Sequence, residues 1–262
     1  MQNPMSTRSY WLPLLIGLTA LACLGWLAYQ QPARLPITIL RNQTIEVGGD
    51  VRTYRLVLPD PMESSSPVPL LVVLHGALDT VEQAAQYTGL DQLAAEHSVC
   101  LLYLQGWNDS LPPSIPEKHP EVVDREIAFF DAACDEIATQ YPIDQRRIYI
   151  TGMSQGAAFL HIVVARRSDR IAAAASHSGW LPEPLGEAGV DTKNKCPMLF
   201  IVGAQDTQVS PESVIAARDC FADAGHPAEL IQIEGVAHRW AKDRGINETI
   251  WRFLTQYELS DN

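Results

Sequence analysis

Positive charge is scarce in this chain. Lysine and arginine number 19 against 31 aspartates and glutamates in 262 residues, for a formal net charge of −12. So acidic a chain lacks the cationic footprint that a phosphate backbone requires, so nucleic acid is not an expected partner. Metal-ligand spacing is missing too. The seven histidines form no H-E-x-x-H, and the five cysteines include no C-x-x-C. Neither a zinc-protease helix, a zinc knuckle nor a dithiol redox site is therefore expected. There is no Walker loop, no paired-carboxylate arrangement and no internal repeat, and low complexity is limited to Ser64–Ser66. The expectation is a chain without metal or other cofactor.

One stretch lacks charge altogether. Tyr10–Tyr29, "YWLPLLIGLTALACLGWLAY", follows a polar start whose only charged side chain is Arg8. About 20 apolar residues is the length of a membrane span. Trp11, Trp26 and Tyr29 stand near its ends, where interfacial aromatics anchor a span. Ala20-Leu21-Ala22 has the small-residue character of a signal-peptidase site after a shorter apolar core, and Cys23 is a candidate for lipidation. An uncleaved anchor, a cleaved signal and a lipoprotein all remain open. Each makes residues 1–31 a targeting segment with the membrane as partner, and puts a catalytic domain of residues 32–262 outside the cytoplasm. The other four cysteines, Cys100, Cys134, Cys196 and Cys220, allow three pairings among which the sequence does not choose. Cys100 and Cys134 lie in apolar runs that suit buried thiols, so one disulfide stays an open expectation. Nothing in the sequence sets an oligomeric state.

What is present is a composition, 47% hydrophobic, with ample core for one large α/β domain. From Pro36 the pattern is a hairpin, "ITILRNQTIEV" and "VRTYRLVLP" around Gly48-Gly49, and then strands alternating with helices. "LLVVL", "VCLLYL", "RIYIT", "AAAASHS", "MLFIV" and "AELIQI" read as strands. Helices are expected near 81–97, 122–141, after Ser154, near 211–224 and near 248–257. Continuously apolar strands belong to a mostly parallel sheet covered on both faces, an α/β fold with no second domain.

In such a sheet, sites gather at the carboxyl ends of the strands. "RIYIT" is followed by Gly152-Met153-Ser154-Gln155-Gly156, "MLFIV" by "GAQD" with Asp206, and "AELIQI" by "EGVAH" with His238. G-x-S-x-G between strand and helix is a nucleophile elbow, a turn so tight that side chains at its glycines would strike the neighbouring strand or helix. A serine hydroxyl needs a base, and the base needs an acid to fix its tautomer. His238 and Asp206 fill those roles in the order Ser, Asp, His. His177, at the end of "AAAASHS", is a rival base or a substrate contact, and Glu183 or Asp191 are alternative acids. His75, before Gly76, reads as a brace for its loop.

The motifs "LVVLHGALDT", "YITGMSQGAAF", "SHSGWLP", "PMLFIVGAQDTQVSP" and "GVAHRW" carry a resemblance. Over Thr53–Leu254 the chain resembles the α/β-hydrolase superfamily. Within it the chain is most similar to polyhydroxybutyrate depolymerase-like and feruloyl esterase-like serine hydrolases, with carboxylesterase/phospholipase and dienelactone hydrolase types nearby. The resemblance implies an α/β-hydrolase fold and an ester-cleaving reaction through an acyl-enzyme on Ser154, Asp206 and His238. It also implies an oxyanion hole from the backbone N–H groups of Ala77 and Gln155. A peptidase or an acyltransferase would use the same triad, and a binding protein on this fold is the alternative of another class. The interval between "AAAASHS" and "MLFIV" is too short for a lid domain, which suits bulky, polymeric or aromatic esters. Trp107, Trp180 and Trp240 each follow a strand end and are expected to wall the substrate site, with His177 as a further contact.

Overall fold

A computed structural model of the chain describes residues 35–111, 120–182, 185 and 190–260. The apolar Tyr10–Tyr29 stretch and Glu183 lie outside them. Among the described residues, no helix is long and apolar enough to cross a membrane. Within Pro36–Asn262, a single compact unit, eight strands form one sheet. They are β1 (Ile37–Val47), β2 (Asp50–Pro59), β3 (Val68–Leu74), β4 (Cys100–Leu104), β5 (Ile143–Met153), β6 (Ala173–His177), β7 (Met198–Gly203) and β8 (Ala228–Ile233). Their order is β1-β2-β4-β3-β5-β6-β7-β8. β1 pairs antiparallel with β2, and β2 antiparallel with β4; every pairing from β4 through β8 is parallel. The β1–β2 turn needs positive φ at both central residues, and Gly48 (62°) and Gly49 (88°) supply it.

Among the described residues, six α-helices connect or cover the strands: α1 (Val81–Thr88), α2 (Asp91–His97), α3 (Pro120–Gln140), α4 (Gln155–Arg167), α5 (Pro211–Asp223) and α6 (Ile246–Leu254). The all-apolar strands are explained by the two cores. Alternate residues of β3 face opposite ways. Leu70, Val72 and Leu74 pack in one cluster with Ile127 and Phe130 of α3, Phe159 of α4 and Phe221 of α5. Leu71 and Val73 pack in the other with Ala84 of α1, Leu93 of α2 and Trp251 of α6. This is the mostly parallel α/β sheet that the strand–helix alternation implies, and the α/β-hydrolase fold that the family resemblance implies.

Three expectations are adjusted. The helix expected over 81–97 is two helices, because Gly89 adopts a left-handed C-cap (φ 65°) with its N–H on Ala85 O, closing α1. Strand β5 begins at Ile143 rather than at "RIYIT", because Val68 of β3 pairs with Ile143 ahead of a register shift. No disulfide forms among the described residues: Cys100, Cys134, Cys196 and Cys220 are all free thiols, and the first three are buried. They pack as small apolar side chains.

Candidate active site

β5 ends in a sharp turn at the sheet's carboxyl rim. Ser154 has φ 55° and ψ −121°, outside the regions that a residue with a side chain ordinarily adopts. Its N–H donates to His177 O at 2.9 Å, and its C=O accepts from Ala158 N at 2.9 Å, which starts α4 immediately. The two flanking glycines are required by contact. A Cβ on Gly152 would lie 2.8 Å from the Gly156 carbonyl carbon, and one on Gly156 would lie 2.4 Å from His75 O and 2.5 Å from Leu74 O. Backbone atoms cannot yield as the tip of a flexible side chain can. Strand and helix therefore pack backbone to backbone, and the serine is held out at the rim.

Asp206 follows β7 in a turn of its own. Gln208 N–H and Val209 N–H donate to its Oδ1 at 3.0 and 2.9 Å. His238 follows β8, and its Nδ1 donates to Asp206 Oδ2 at 2.8 Å. The other ring nitrogen, Nε2, stands 3.1 Å from Ser154 Oγ. Burial opposes ionisation of Asp206, but the Val209 N–H, His238 and the Ser178 hydroxyl outweigh it and hold the carboxyl below its usual range. An ionised acceptor at Nδ1 fixes the imidazole tautomer so that Nε2 carries the lone pair. That nitrogen can take the serine proton, and the resulting imidazolium faces a carboxylate. The alternative acid Asp191 instead lies at the surface, ion-paired with Lys195.

The loops after β3 and β4 flank the serine. His75 is fully buried; its Nε2 accepts from Gly106 N–H at 2.9 Å, and its Nδ1 donates to Gly76 O at 2.7 Å. Burial lowers its pKa, which suits this neutral bracing role. Gln105, which the sequence reading passed over, links the same loops. Its Oε1 accepts from Val81 N–H at 2.9 Å, and its Nε2 donates to Asp79 O at 3.2 Å. The available signal was a lone amide at the carboxyl end of the apolar run "VCLLYL". Gln155, first residue of α4, has its side-chain Oε1 held by Ser110 Oγ and Leu111 N–H, each at 3.2 Å. Its backbone N–H belongs to the first helical turn, which has no acceptor within the helix.

Residues 114–257, more than half of the chain, match the model of the dienelactone hydrolase family. The chain belongs to that family. Among curated proteins it is similar to NocK, a candidate esterase of Nocardia uniformis subsp. tsuyamanensis, at 31% identity over 167 residues. That match covers 62% of this chain and 47% of NocK, so the chain matches about half the length of that relative. Solved structures share the fold. A ferulic acid esterase superposes with TM-score 0.66 at 18% identity, covering 85% of this chain and 99% of the esterase. S-formylglutathione hydrolase FrmB of Staphylococcus aureus gives 0.67 at 16%, covering 85% and 98%.

In this dienelactone hydrolase family member, Ser154 and His238 open onto a cleft of about 510 Å³. Ala77, Asp79, Tyr87, Met153 and Trp240 are among its walls. The three tryptophans expected to form one wall are dispersed. Trp240 does line the cleft, with its Nε1 donating to Asn247 Oδ1 at 2.7 Å. Trp180 instead lines a neighbouring cavity of about 550 Å³ with Leu181 and Val209; Gln208 borders both. Trp107 lies under the Arg125 guanidinium, 4.3 Å from the ring centroid, and lines neither. Position after a strand end does not fix which way a long side chain turns. His177 is corrected as a substrate contact: it is fully buried, stacked on Trp240 with centroids 5.0 Å apart.

Proposed function

We propose that this chain is a serine esterase that cleaves carboxylic esters through an acyl-enzyme. The observation that carries the reading is the unbroken hydrogen-bond path Ser154 Oγ–His238 Nε2 at 3.1 Å and His238 Nδ1–Asp206 Oδ2 at 2.8 Å. Ser154 Oγ attacks the ester carbonyl while His238 Nε2 takes its proton. The carbonyl oxygen becomes an oxyanion, which the backbone N–H groups of Ala77 and Gln155 receive. The tetrahedral adduct collapses, the C–O bond to the alcohol breaks, and His238 returns the proton to the leaving oxygen. Water then repeats the sequence against the acyl-serine and frees the acid.

An aromatic or polymeric acyl ester is the substrate class that suits the cleft. Its volume and the apolar faces of Met153, Tyr87 and Trp240 support a bulky group beside the serine. The charge-free Tyr10–Tyr29 stretch supports an extracytoplasmic place, through an anchor or a cleaved signal.

A fluorophosphonate probe is expected to label the protein, and Ser154→Ala to abolish both labelling and turnover. Labelling that survives Ser154→Ala would refute the serine reading. A panel of p-nitrophenyl esters, methyl ferulate, a short polyhydroxyalkanoate and peptide amides reads the substrate class, and amide cleavage exceeding ester cleavage would favour a peptidase. A chain beginning at residue 32 is expected to keep its turnover, and membrane extraction of the full chain separates an anchor from a cleaved signal.

A further inference from the structure

The cleft beside Ser154 carries one carboxylate that the acyl-enzyme chemistry does not use. Asp79 lines it together with Gly76 and Ala77. A Cβ on Gly76 would lie 2.8 Å from Asp79 Oδ2, so the carboxylate rests against the loop that carries Ala77. The backbone on either side is fixed. Leu78 N–H donates to Asp109 O at 3.0 Å, and Asp79 O accepts from Gln105 Nε2 at 3.2 Å. The half-buried side chain is thus held in place before a substrate arrives.

The fold does not account for this charge. An acid just before a helix commonly satisfies the free N–H groups of the first turn. Here other groups take them. Thr80 N–H donates to Gln83 Oε1 at 2.8 Å, Val81 N–H to Gln105 Oε1 at 2.9 Å, and Gln83 N–H to Thr80 Oγ1 at 3.2 Å. Nor is Asp79 half of an ion pair. Arg239, on the cleft wall, is held by both carboxylate oxygens of Asp243 at 2.5 and 3.0 Å. His238 faces Asp206 and Ser154. Among the described residues, no ion pair reaches Asp79. Burial, and then Asp79 itself, push the Tyr87 hydroxyl up, so this wall residue stays a neutral phenol and does not cancel the charge. The cleft therefore presents one uncompensated negative charge to whatever lies beside Ser154.

We propose that Asp79 selects the substrate by charge, accepting a hydrogen bond from a hydroxyl or ammonium group of the ester and repelling esters that carry a carboxylate. The proposal rests on the serine esterase reading and narrows the substrate class of that same site. A carboxylate only accepts, so its partner must be a donor. A like charge brought beside it in a partly desolvated cleft is penalised in the bound state and in the transition state alike. A hydroxylated or aminated ester meets that demand, and the half-ester of a dicarboxylic acid does not.

The test compares kcat/KM of the full chain on two esters of equal acyl length and opposite charge. One is the p-nitrophenyl ester of aminohexanoic acid with its amine at the chain end; the other is mono-p-nitrophenyl adipate. The neutral p-nitrophenyl hexanoate is run beside them. The readout is the ratio of the ammonium ester to the half-ester, whatever the neutral rate does. In the parent chain this ratio is expected to be about a hundredfold, about tenfold from attraction and about tenfold from repulsion. Asp79→Asn, of the same size without the charge, is expected to bring it to within about threefold of unity. Asp223→Asn removes a negative charge from the last residue of α5, outside the cleft, and is expected to keep the parent ratio. A parent chain that takes both esters equally well overturns the proposal. So does a ratio that survives in Asp79→Asn, or one that falls as far in Asp223→Asn, which would assign the effect to net charge. Should Asp79→Asn not fold, Asp79→Ser is read in the same way. A parent chain that cleaves none of the three esters defeats the serine esterase reading itself, whereas cleavage blind to charge defeats only this proposal.

Discussion

Two buried carboxylates, Glu126 and Asp206, each meet a nitrogen-bearing partner, and they differ in what surrounds them. Arg52 of β2 and Glu126 of α3 meet at 2.7 Å, each side chain only 2% exposed. Asp206 and His238 meet at 2.8 Å with exposures of 0% and 12%. The first pair is closed. The Arg52 guanidinium packs 4.1 Å from the Phe129 ring, Nη2 also donates to Gln105 O, and Nη1 has no acceptor among the described residues. The second pair has donors on both carboxylate oxygens and leads outward, through the far nitrogen of His238, to a hydroxyl on a cleft. Burial and pairing alone therefore do not mark a reactive site. A free second nitrogen aimed at a nucleophile does.

Substituting each acid separates the two roles. Asp206→Asn keeps the volume and offers His238 an amide that permits the wrong tautomer. Turnover is expected to fall by roughly 10³–10⁴-fold with the melting temperature little changed. A loss under tenfold would mean that another carboxylate serves His238. Glu126→Leu strands the Arg52 charge, and chemical denaturation is expected to show a loss of about 3–5 kcal/mol, with kcat of the folded fraction retained. Pairing it with Arg52→Met is expected to restore most of that stability. A double variant as unstable as the single one would show that the guanidinium also acts through its ring packing.

The nucleophile turn offers a third, smaller contrast, because backbone contact rather than charge maintains it. Gly156→Ala puts a methyl group 2.4 Å from His75 O and 2.5 Å from Leu74 O. A cost of about 1–3 kcal/mol is expected from the forced shift of α4, together with lower turnover as Ser154 moves from His238. Wild-type stability in Gly156→Ala would show that α4 can slide at no cost.

The residues that local rules govern were legible in the sequence. The parallel sheet follows from unbroken apolar runs, and Ser154, Asp206 and His238 follow from standing after strands in a fixed order. Gly152 and Gly156 announce a close approach because no other residue fits. The side chains set by tertiary packing were not legible. Trp107, Trp180 and His177 all stand at strand ends, yet a guanidinium, a second cavity and the Trp240 ring turn them away from the cleft. Gln105 escapes notice for the same reason: it is an ordinary polar residue whose partners, Val81 N–H and Asp79 O, come from a stretch distant in sequence. The split of α1 from α2 depends on one glycine in a polar stretch, where periodicity carries through.

The smallest expected effect tests whether the two pairs differ in charge state as well as in surroundings. The Asp206 carboxyl lies below its ordinary value of 3.8, because its donors outweigh burial. The folded form then binds fewer protons than the unfolded one, so Asp206 contributes stability above that value and loses it as pH falls through the lowered pKa. Glu126 has the opposite sign. Burial, only partly offset by Arg52 and Arg125, raises it above 4.5. Its contribution is fully present below 4.5 and is lost as pH rises through the raised pKa. Melting temperatures of Asp206→Asn and Glu126→Leu, each followed from pH 3 to 7 and compared with the parent, should diverge in opposite directions. The penalty of Asp206→Asn shrinks toward acid, where the parent has lost the same contribution. The penalty of Glu126→Leu instead shrinks as the pH rises past the raised pKa. Parallel curves for the two variants would mean that Glu126 is ionised across the whole range and that its pair with Arg52 is as well solvated by protein as the pair beside the serine.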